Sequence, residues 1–435
     1  MPKTTTYPPR GWNSFDSYGA YCHEAAAFAN LETFAEKLVP HGYEFFTLDI
    51  AWYAEYPLRP GTLFPAVGRA NDIHLDAWGR PLPSKAYFPN GFEKLIARAH
   101  ELGIKFGLHL MRGIPRQAVR ANLPILDTAY GAADVANPDD VCAWGDEFMW
   151  GMHHRHPGAQ AYYDSLIGLM AKWGVDFLKY DDITNHPLDM RAVRTAIERS
   201  GRPIVLSLSP GNQVQPANAA DYQPGDTVRI TGDVWDKRCY LDLSLKAWEA
   251  WTEVPDPNFW IDLDMIPFGK LKVMNPPQLQ GPEMENDAAF AGVGTARDSQ
   301  LTLPQKRTFM TMQALAASPL IMGGDLPQTP EEDFALITHP DILACNANGV
   351  IGHKVAQLDP LQIWHSPDRS IPGAGWIAVF NRSESENASL DTAAITRIPK
   401  TPAKWREAWS AKSWDALPSK LTIEPDDSLL FRYES

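Results

Sequence analysis

One rhythm runs through the first three-quarters of the chain. A short apolar segment closes on a polar residue, an amphipathic helical pattern follows, and the pair begins again. The apolar segments are GWNSFD (11–16), YEFFTLDI (43–50), IKFGLHLM (104–111), VDFLKYDD (175–182), PIVLSLSP (203–210), TVRITGD (227–233), NFWIDLDM (258–265) and PLIMGGD (319–325). Between them, helical spacing is clear at 91–103, where Phe92, Leu95, Ile96, Ala99 and Leu102 fall on one face and Gly103 stops the run. The same pattern recurs at 161–174, 190–201, 241–254 and 303–318. Strands that alternate with helices form a parallel sheet, and eight such units close into a (β/α)8 TIM barrel. A doubly wound open sheet competes, but it calls for a Gly-rich phosphate loop after a strand, and the chain has none.

After about residue 352 the rhythm breaks. Short β-rich runs at 361–366, 375–383, 404–410, 419–424 and 428–434 are separated by Pro, Gly, Asp and Asn. The expected organisation is a catalytic barrel over 1–352, with a long insertion at about 111–160, followed by an antiparallel β-sandwich over 353–435. Scaffolding against the barrel side is the plain role for that second domain, and sugar binding is the other.

The totals narrow the partners. A formal charge of −14 would repel a phosphate backbone, so nucleic acid is excluded as a partner, while neutral sugars are unaffected. No apolar run approaches the ~20 residues that span a bilayer, so no membrane association is expected. The segment MPKTTTYPPRG lacks the apolar core of a signal peptide. The localisation stays open between cytoplasmic and a secreted or periplasmic protein whose leader has been removed. Cys22, Cys142, Cys239 and Cys345 form no CxxC pair, which favours free thiols over a zinc site or disulfides. The 15 Trp are split between two readings, core packing and stacking on sugar rings.

The chemistry sits at the strand ends, because a barrel of this type works at its C-terminal face. Asp49, Asp181, Asp182, Asp233, Asp262, Asp264 and Asp325 all fall there. Clustered carboxylates repel and need a reason. Capping of the following helix is one reason and is favoured for Asp182 and Asp325. A hard-metal site is a second. Glycoside hydrolysis is the third: a retaining enzyme sets two carboxyls about 5–5.5 Å apart across an anomeric carbon. Asp181 and Asp233 suit that pair, since strands four and six flank strand five. Lys179, two residues before Asp181, points to the same side of its strand and would keep it ionised. Arg229, four before Asp233, would orient a carboxylate or bind a hydroxyl, unless the two form an ordinary structural pair.

These segments, in this order, resemble glycoside hydrolase family 27 (clan D), the melibiase-type α-galactosidases and α-N-acetylgalactosaminidases. The matching pieces include GWNSFDSYG (11–19), HGYEFFTLDIAW (41–52), YYDSLIGLMAKWGVDFLKYDD (162–182), RITGDVWD (229–236) and MQALAASPLIMGGDL (312–326). The resemblance implies Asp181 as nucleophile within K-[YF]-D and Asp233 as acid/base within R-x-x-x-D. It implies Asp49 and Lys179 as ligands of the terminal sugar, Arg229 as an assistant and Trp52 as pocket wall. It also implies a retaining mechanism with no metal and no cofactor, an oligosaccharide or glycoside as the partner, and an assembly that in related barrels is often a homodimer.

Three departures bear on specificity. Family α-galactosidases carry two adjacent Asp after the second strand to hold O4 and O6, and here the pair is Asp49–Ile50. An apolar wall at Ile50 suits a ring with less at C5, such as β-L-arabinopyranose, or another hexose, as in dextran-acting members. Ser209 stands about where a bulky acidic residue faces O2, leaving room as in N-acetylgalactosaminidases. The insertion at 111–160 is longer than usual and is expected to shape the leaving-group subsite. In it Arg112, following His109, is expected either to reach the pocket or to pair with the acidic rim. The cluster His153, His154 and His156 reads as a solvated loop rather than a metal site. The resulting expectation is an exo-acting retaining glycosidase, α-galactosidase-like or of one of the related specificities. A non-catalytic sugar-binding barrel is the rival from another class.

Overall fold

The fold follows from which side chains each strand turns inward. The computed structural model describes residues 4–55, 73–145, 147–254, 257–273, 296–399 and 404–434. Eight strands form one parallel sheet: β1 (Arg10–Asn13), β2 (Phe45–Leu48), β3 (Lys105–Met111), β4 (Phe177–Asp181), β5 (Val205–Leu208), β6 (Thr227–Arg229), β7 (Trp260–Asp262) and β8 (Leu320–Met322). They lie in sequential order, and β8 returns to pair with β1, Arg10 opposite Leu320. Just past β7, a parallel bridge between Ile266 and Met322 joins the two remaining edges, so the sheet closes into the expected barrel.

Period-two alternation sorts the strand residues into layers. On β1 and β2, Trp12 stacks on Phe46 (4.6 Å), and Phe46 meets Phe34 of the helix Glu24–Lys37, so this set faces the surrounding helices. The opposite set faces the barrel axis. Its bottom layer is apolar, with Phe45, Phe177 and Val205 packed together. Above it come Thr47, Lys179, Ser207, Thr227 and Arg229, and then the strand ends. The interior therefore grades from apolar to charged along its axis. Gly107 keeps that middle layer from overfilling, since a Cβ there would lie 2.4 Å from Thr47 Oγ1.

The insertion has structure of its own. Short strands Ile114–Pro115, Ala136–Asn137 and Met149–Met152 form a three-stranded sheet, with helices Arg116–Arg120 and Ala132–Val135 beside it. Of the histidine cluster, His153 is exposed at the start of a turn, as expected, but the other two are engaged. His154 Nε2 lies 3.0 Å from Asp189, and His156 caps the helix Pro157–Trp173 by accepting from Gly158 N–H.

The C-terminal strands form a six-stranded antiparallel sheet and a two-stranded partner, Ala388–Asp391 with Lys420–Ile423. Ile363, Ile377, Val379 and Phe431 pack against Leu390 and Ile423 between them. On the other side, Trp364 stacks on Trp248 of the barrel helix Arg238–Trp251, with ring centroids 3.9 Å apart. Sequence periodicity did not mark the strands His353–Leu358, Ala388–Asp391 and Ser413–Trp414, which are short or alternate weakly. No helix of the described residues is long and apolar enough to cross a membrane.

Candidate active site

The strand ends open into a cavity of about 310 Å³ at the C-terminal mouth of the barrel. Asp49, Ile50, His109, Lys179, Asp181, Arg229 and Asp233 all line it. Asp181 is the last residue of β4, two past Lys179, and the alternation that sends Lys179 inward carries Asp181 inward as well. Asp233 reaches the cavity differently: β6 ends at Arg229, and a four-residue bend returns the Asp233 carboxyl to it.

The two carboxyls have unlike settings. Asp181 is buried at the floor, with His109 Nε2 3.3 Å from its Oδ2. Burial opposes its charge, but the His109 hydrogen bond and the positive charges of Lys179 and Arg229 outweigh burial, holding the carboxyl well below the ordinary carboxylate range. The contact of His109 with Asp181 is one that β3 geometry reveals and sequence alone did not. The Asp233 side chain is 55% exposed and accepts a 2.6 Å hydrogen bond from Arg229.

Around them lies a polar floor. Lys179 Nζ donates to Asp49 Oδ2 at 2.7 Å, and Asn13 Nδ2 donates to the same oxygen at 2.7 Å. Burial works against the Lys179 charge, but Asp49 and Asp181 keep it protonated, above the usual lysine range. Asp264 accepts from Val234 N–H (2.7 Å) and lies 3.4 Å from Arg229, tying the bend that carries Asp233 to the end of β7. Ala51 (φ 68°), Asp182 (φ 56°) and Asp264 (φ 78°) sit in left-handed backbone just past their strands. Such conformations cost about 1–3 kcal/mol each and persist where surrounding contacts fix them.

Trp52, Ser209 and Arg112 do not line the cavity. Trp52 is a core residue whose indole donates to the His109 carbonyl (2.7 Å) and packs on Tyr53 and Phe92, so it supports the floor from behind. Ser209 turns its hydroxyl into a small void beneath the floor, shared with Asn13, Thr47, Ser207, Thr227 and Asp262. Arg112 is buried in ion pairs with Asp140 (2.8 Å) and Asp182 (2.9 Å). Asp182 is thereby committed to Arg112 and caps no helix. Asp325 likewise accepts from Tyr18, Asn30 and Gln328 rather than capping.

The cavity also holds residues the sequence reading did not single out: Phe15, Asp16, Trp144, Pro210, Asn212, Trp235 and Met265. Asp16 is buried with its Oδ2 unpartnered among the described residues, and burial together with the charge of Asp264 raises its carboxyl well above the ordinary range. Gly323 makes room for it, since a Cβ there would lie 2.1 Å from that oxygen. Asp16 closes the first apolar segment, but β1 ends at Asn13, so strand alternation does not point it into the cavity. Only barrel closure brings it near Asp264.

Comparison with known proteins reads this geometry further. A family model described as "Alpha galactosidase A" matches residues 151–348. A variant of the family 27 β-L-arabinopyranosidase of Geobacillus stearothermophilus, solved in complex with arabinose, is 33% identical, with a TM-score of 0.86 over 99% of this chain and 98% of that one. The chain belongs to glycoside hydrolase family 27. A Bacillus halodurans family relative, proposed to be an α-N-acetylgalactosaminidase, is 29% identical with a TM-score of 0.81, covering 100% of this chain and 99% of its own. The α-galactosidase of Cyamopsis tetragonoloba is 22% identical over 429 residues, 96% of this chain and 84% of that protein. As a family 27 member the chain is a glycoside hydrolase acting on an oligosaccharide or glycoside.

Proposed function

We propose that this glycosidase acts by double displacement on a terminal residue of α-D-galactopyranosyl configuration, and that β-L-arabinopyranose is the sugar of that set it prefers. Asp181 attacks the anomeric carbon as Asp233 gives its proton to the departing oxygen. The C–O bond to the leaving group breaks, and a glycosyl ester of Asp181 forms. Asp233, now ionised, takes a proton from water, whose oxygen displaces Asp181 and releases the sugar with its configuration retained.

The observation that carries the chemistry is the shared cavity: a buried, charge-stabilised carboxylate at the floor and a half-exposed carboxyl at the rim, the latter held by Arg229. The sugar assignment rests on Ile50. It follows Asp49 directly, lines the cavity, and supplies an alkyl wall where a second carboxylate would receive a hydroxymethyl group. β-L-Arabinopyranose is α-D-galactopyranose without that group. The arabinopyranosidase relative at 33% identity supports the same assignment, while the curated α-galactosidase relatives support the galactoside as the second reading.

A panel of aryl glycosides tests it: β-L-arabinopyranoside, α-D-galactoside, α-N-acetylgalactosaminide and α-D-glucoside. The highest kcat/KM is expected on the arabinopyranoside, followed by the galactoside. Turnover of the glucoside alone would overturn the assignment.

A further inference from the structure

The cavity has an outer half that the sugar chemistry leaves unused. The charged residues Asp49, Lys179, Asp181, Arg229 and Asp264 crowd the floor, whereas Asp233 marks the rim. The exposed Trp144 and Asn212 and the partly buried Trp235 line the same cavity. Trp144 lines the cavity and is 39% exposed. Burying its indole against an apolar ring face would be favourable.

Neither indole is loosely hung. Trp144 lies four residues after Asp140, which Arg112 binds through two nitrogens at 2.8 and 2.9 Å. The buried Cys142 thiol accepts from the backbone N–H groups of Trp144 and Gly145. The insertion thus presents Trp144 from a loop pinned to the end of β4. Trp235 stands two residues past Asp233, on the same segment as the rim carboxyl. The Lys272 ammonium, buried and outside the cavity lining, sits 4.6 Å from its ring centroid, and Phe15 tilts against it at 6.3 Å. Asn212 is exposed on the cavity wall, with an amide able to meet a hydroxyl.

From this we infer that Trp144 and Trp235 form a leaving-group subsite for a ring with an apolar face, a second sugar or an aryl group, with Asn212 as its polar contact. The inference rests on Asp233 as the acid, because the leaving group must lie on that carboxyl's side. It assigns the 111–160 insertion a specificity role that does not depend on which terminal sugar is cleaved.

The test compares two substrates of one glycosyl group, a p-nitrophenyl glycoside and the glycosyl fluoride, in wild type, Trp144→Ala, Trp144→Phe and Trp235→Ala. Fluoride leaves without a ring, so the ratio of the two kcat/KM values isolates the leaving-group subsite. The ratio is taken with the sugar the wild type turns over fastest, so an error in the terminal sugar changes the pair and not the outcome. Losing one stacked ring is expected to lower the ratio about tenfold in each alanine variant, through KM, with Trp144→Phe recovering much of it. A ratio within about twofold of wild type in both alanine variants would overturn the inference.

Discussion

The guanidinium of Arg229 donates a 2.6 Å hydrogen bond to Oδ1 of Asp233. That contact fixes one oxygen of an otherwise half-exposed carboxyl and leaves Oδ2 without a hydrogen-bond partner among the described residues. Because Arg229 is itself the last residue of β6, the rim carboxyl takes its position from the barrel rather than from its own loop.

Asp233→Asn keeps the Arg229 contact through its amide oxygen but has no proton to give. Loss of a general acid costs about 10²–10⁴-fold in rate. We expect that loss in kcat/KM on alkyl or sugar leaving groups, and a far smaller one on glycosyl fluorides, which need no protonation. Equal losses on both, measured by steady-state kinetics, would argue that Asp233 has another role.

Ile50→Asp restores a carboxylate beside Asp49. A buried hydroxyl that gains a partner gains about 1–3 kcal/mol, roughly 5- to 150-fold in relative kcat/KM. The ratio of α-D-galactoside to β-L-arabinopyranoside turnover should rise by that order. An unchanged ratio would remove Ile50 from the specificity argument.

Arg112→Leu breaks a buried ion-pair cluster and strands Asp182 and Asp140. The arginine side chain is 1% exposed, but its partners are 15% and 29% exposed. The expected loss is therefore at the low end for breaking a buried pair, about 3 kcal/mol, read from urea unfolding midpoints. Thermal and urea curves matching wild type would show the cluster to be dispensable.

Asp262 lies beneath the floor. Burial, and then the nearby charge of Asp264, push its carboxyl up to about 6. An unfolded Asp titrates near 3.9, so the folded state holds this proton more tightly. Its contribution is favourable below about pH 4, is lost as pH rises from about 4 to about 6, and stays lost at neutrality. Asp262→Asn can still accept from Asp264 N–H, as Oδ1 does at 2.8 Å. The variant should gain about 1–3 kcal/mol near pH 7 and almost nothing near pH 4 in denaturation curves. A gain of equal size at both pH values would contradict the sign.

The barrel was legible in the sequence because period-two strands and helical runs alternate on either side of the insertion, and most strands end at or near a polar residue. Asp49, Lys179 and Asp181 were legible for the same reason, since alternation alone decides which way they point. Residues that lie past the strand ends were not. Asp182 adopts left-handed backbone and turns to Arg112, a contact set by the folded insertion. Trp52 follows the left-handed Ala51, which turns the chain into the core instead of the cavity. Ser209 still follows the inward parity of β5, in register with Asp181, but it lines the small void and not the cavity. Asp16 and Trp235 lie past the ends of their strands, and only closure of β8 against β1 and the packing of Lys272 bring them to the mouth.

The nucleophile assignment has a direct chemical test in azide rescue. Asp181→Ala should lose nearly all turnover of an activated aryl glycoside. Added azide should restore it and yield a glycosyl azide of inverted configuration, because azide enters from the face Asp181 vacates. Asp233→Ala with azide should instead yield the azide of retained configuration. An Asp181→Ala enzyme that hydrolyses the same glycoside at close to the wild-type rate without azide would contradict the mechanism at its first step.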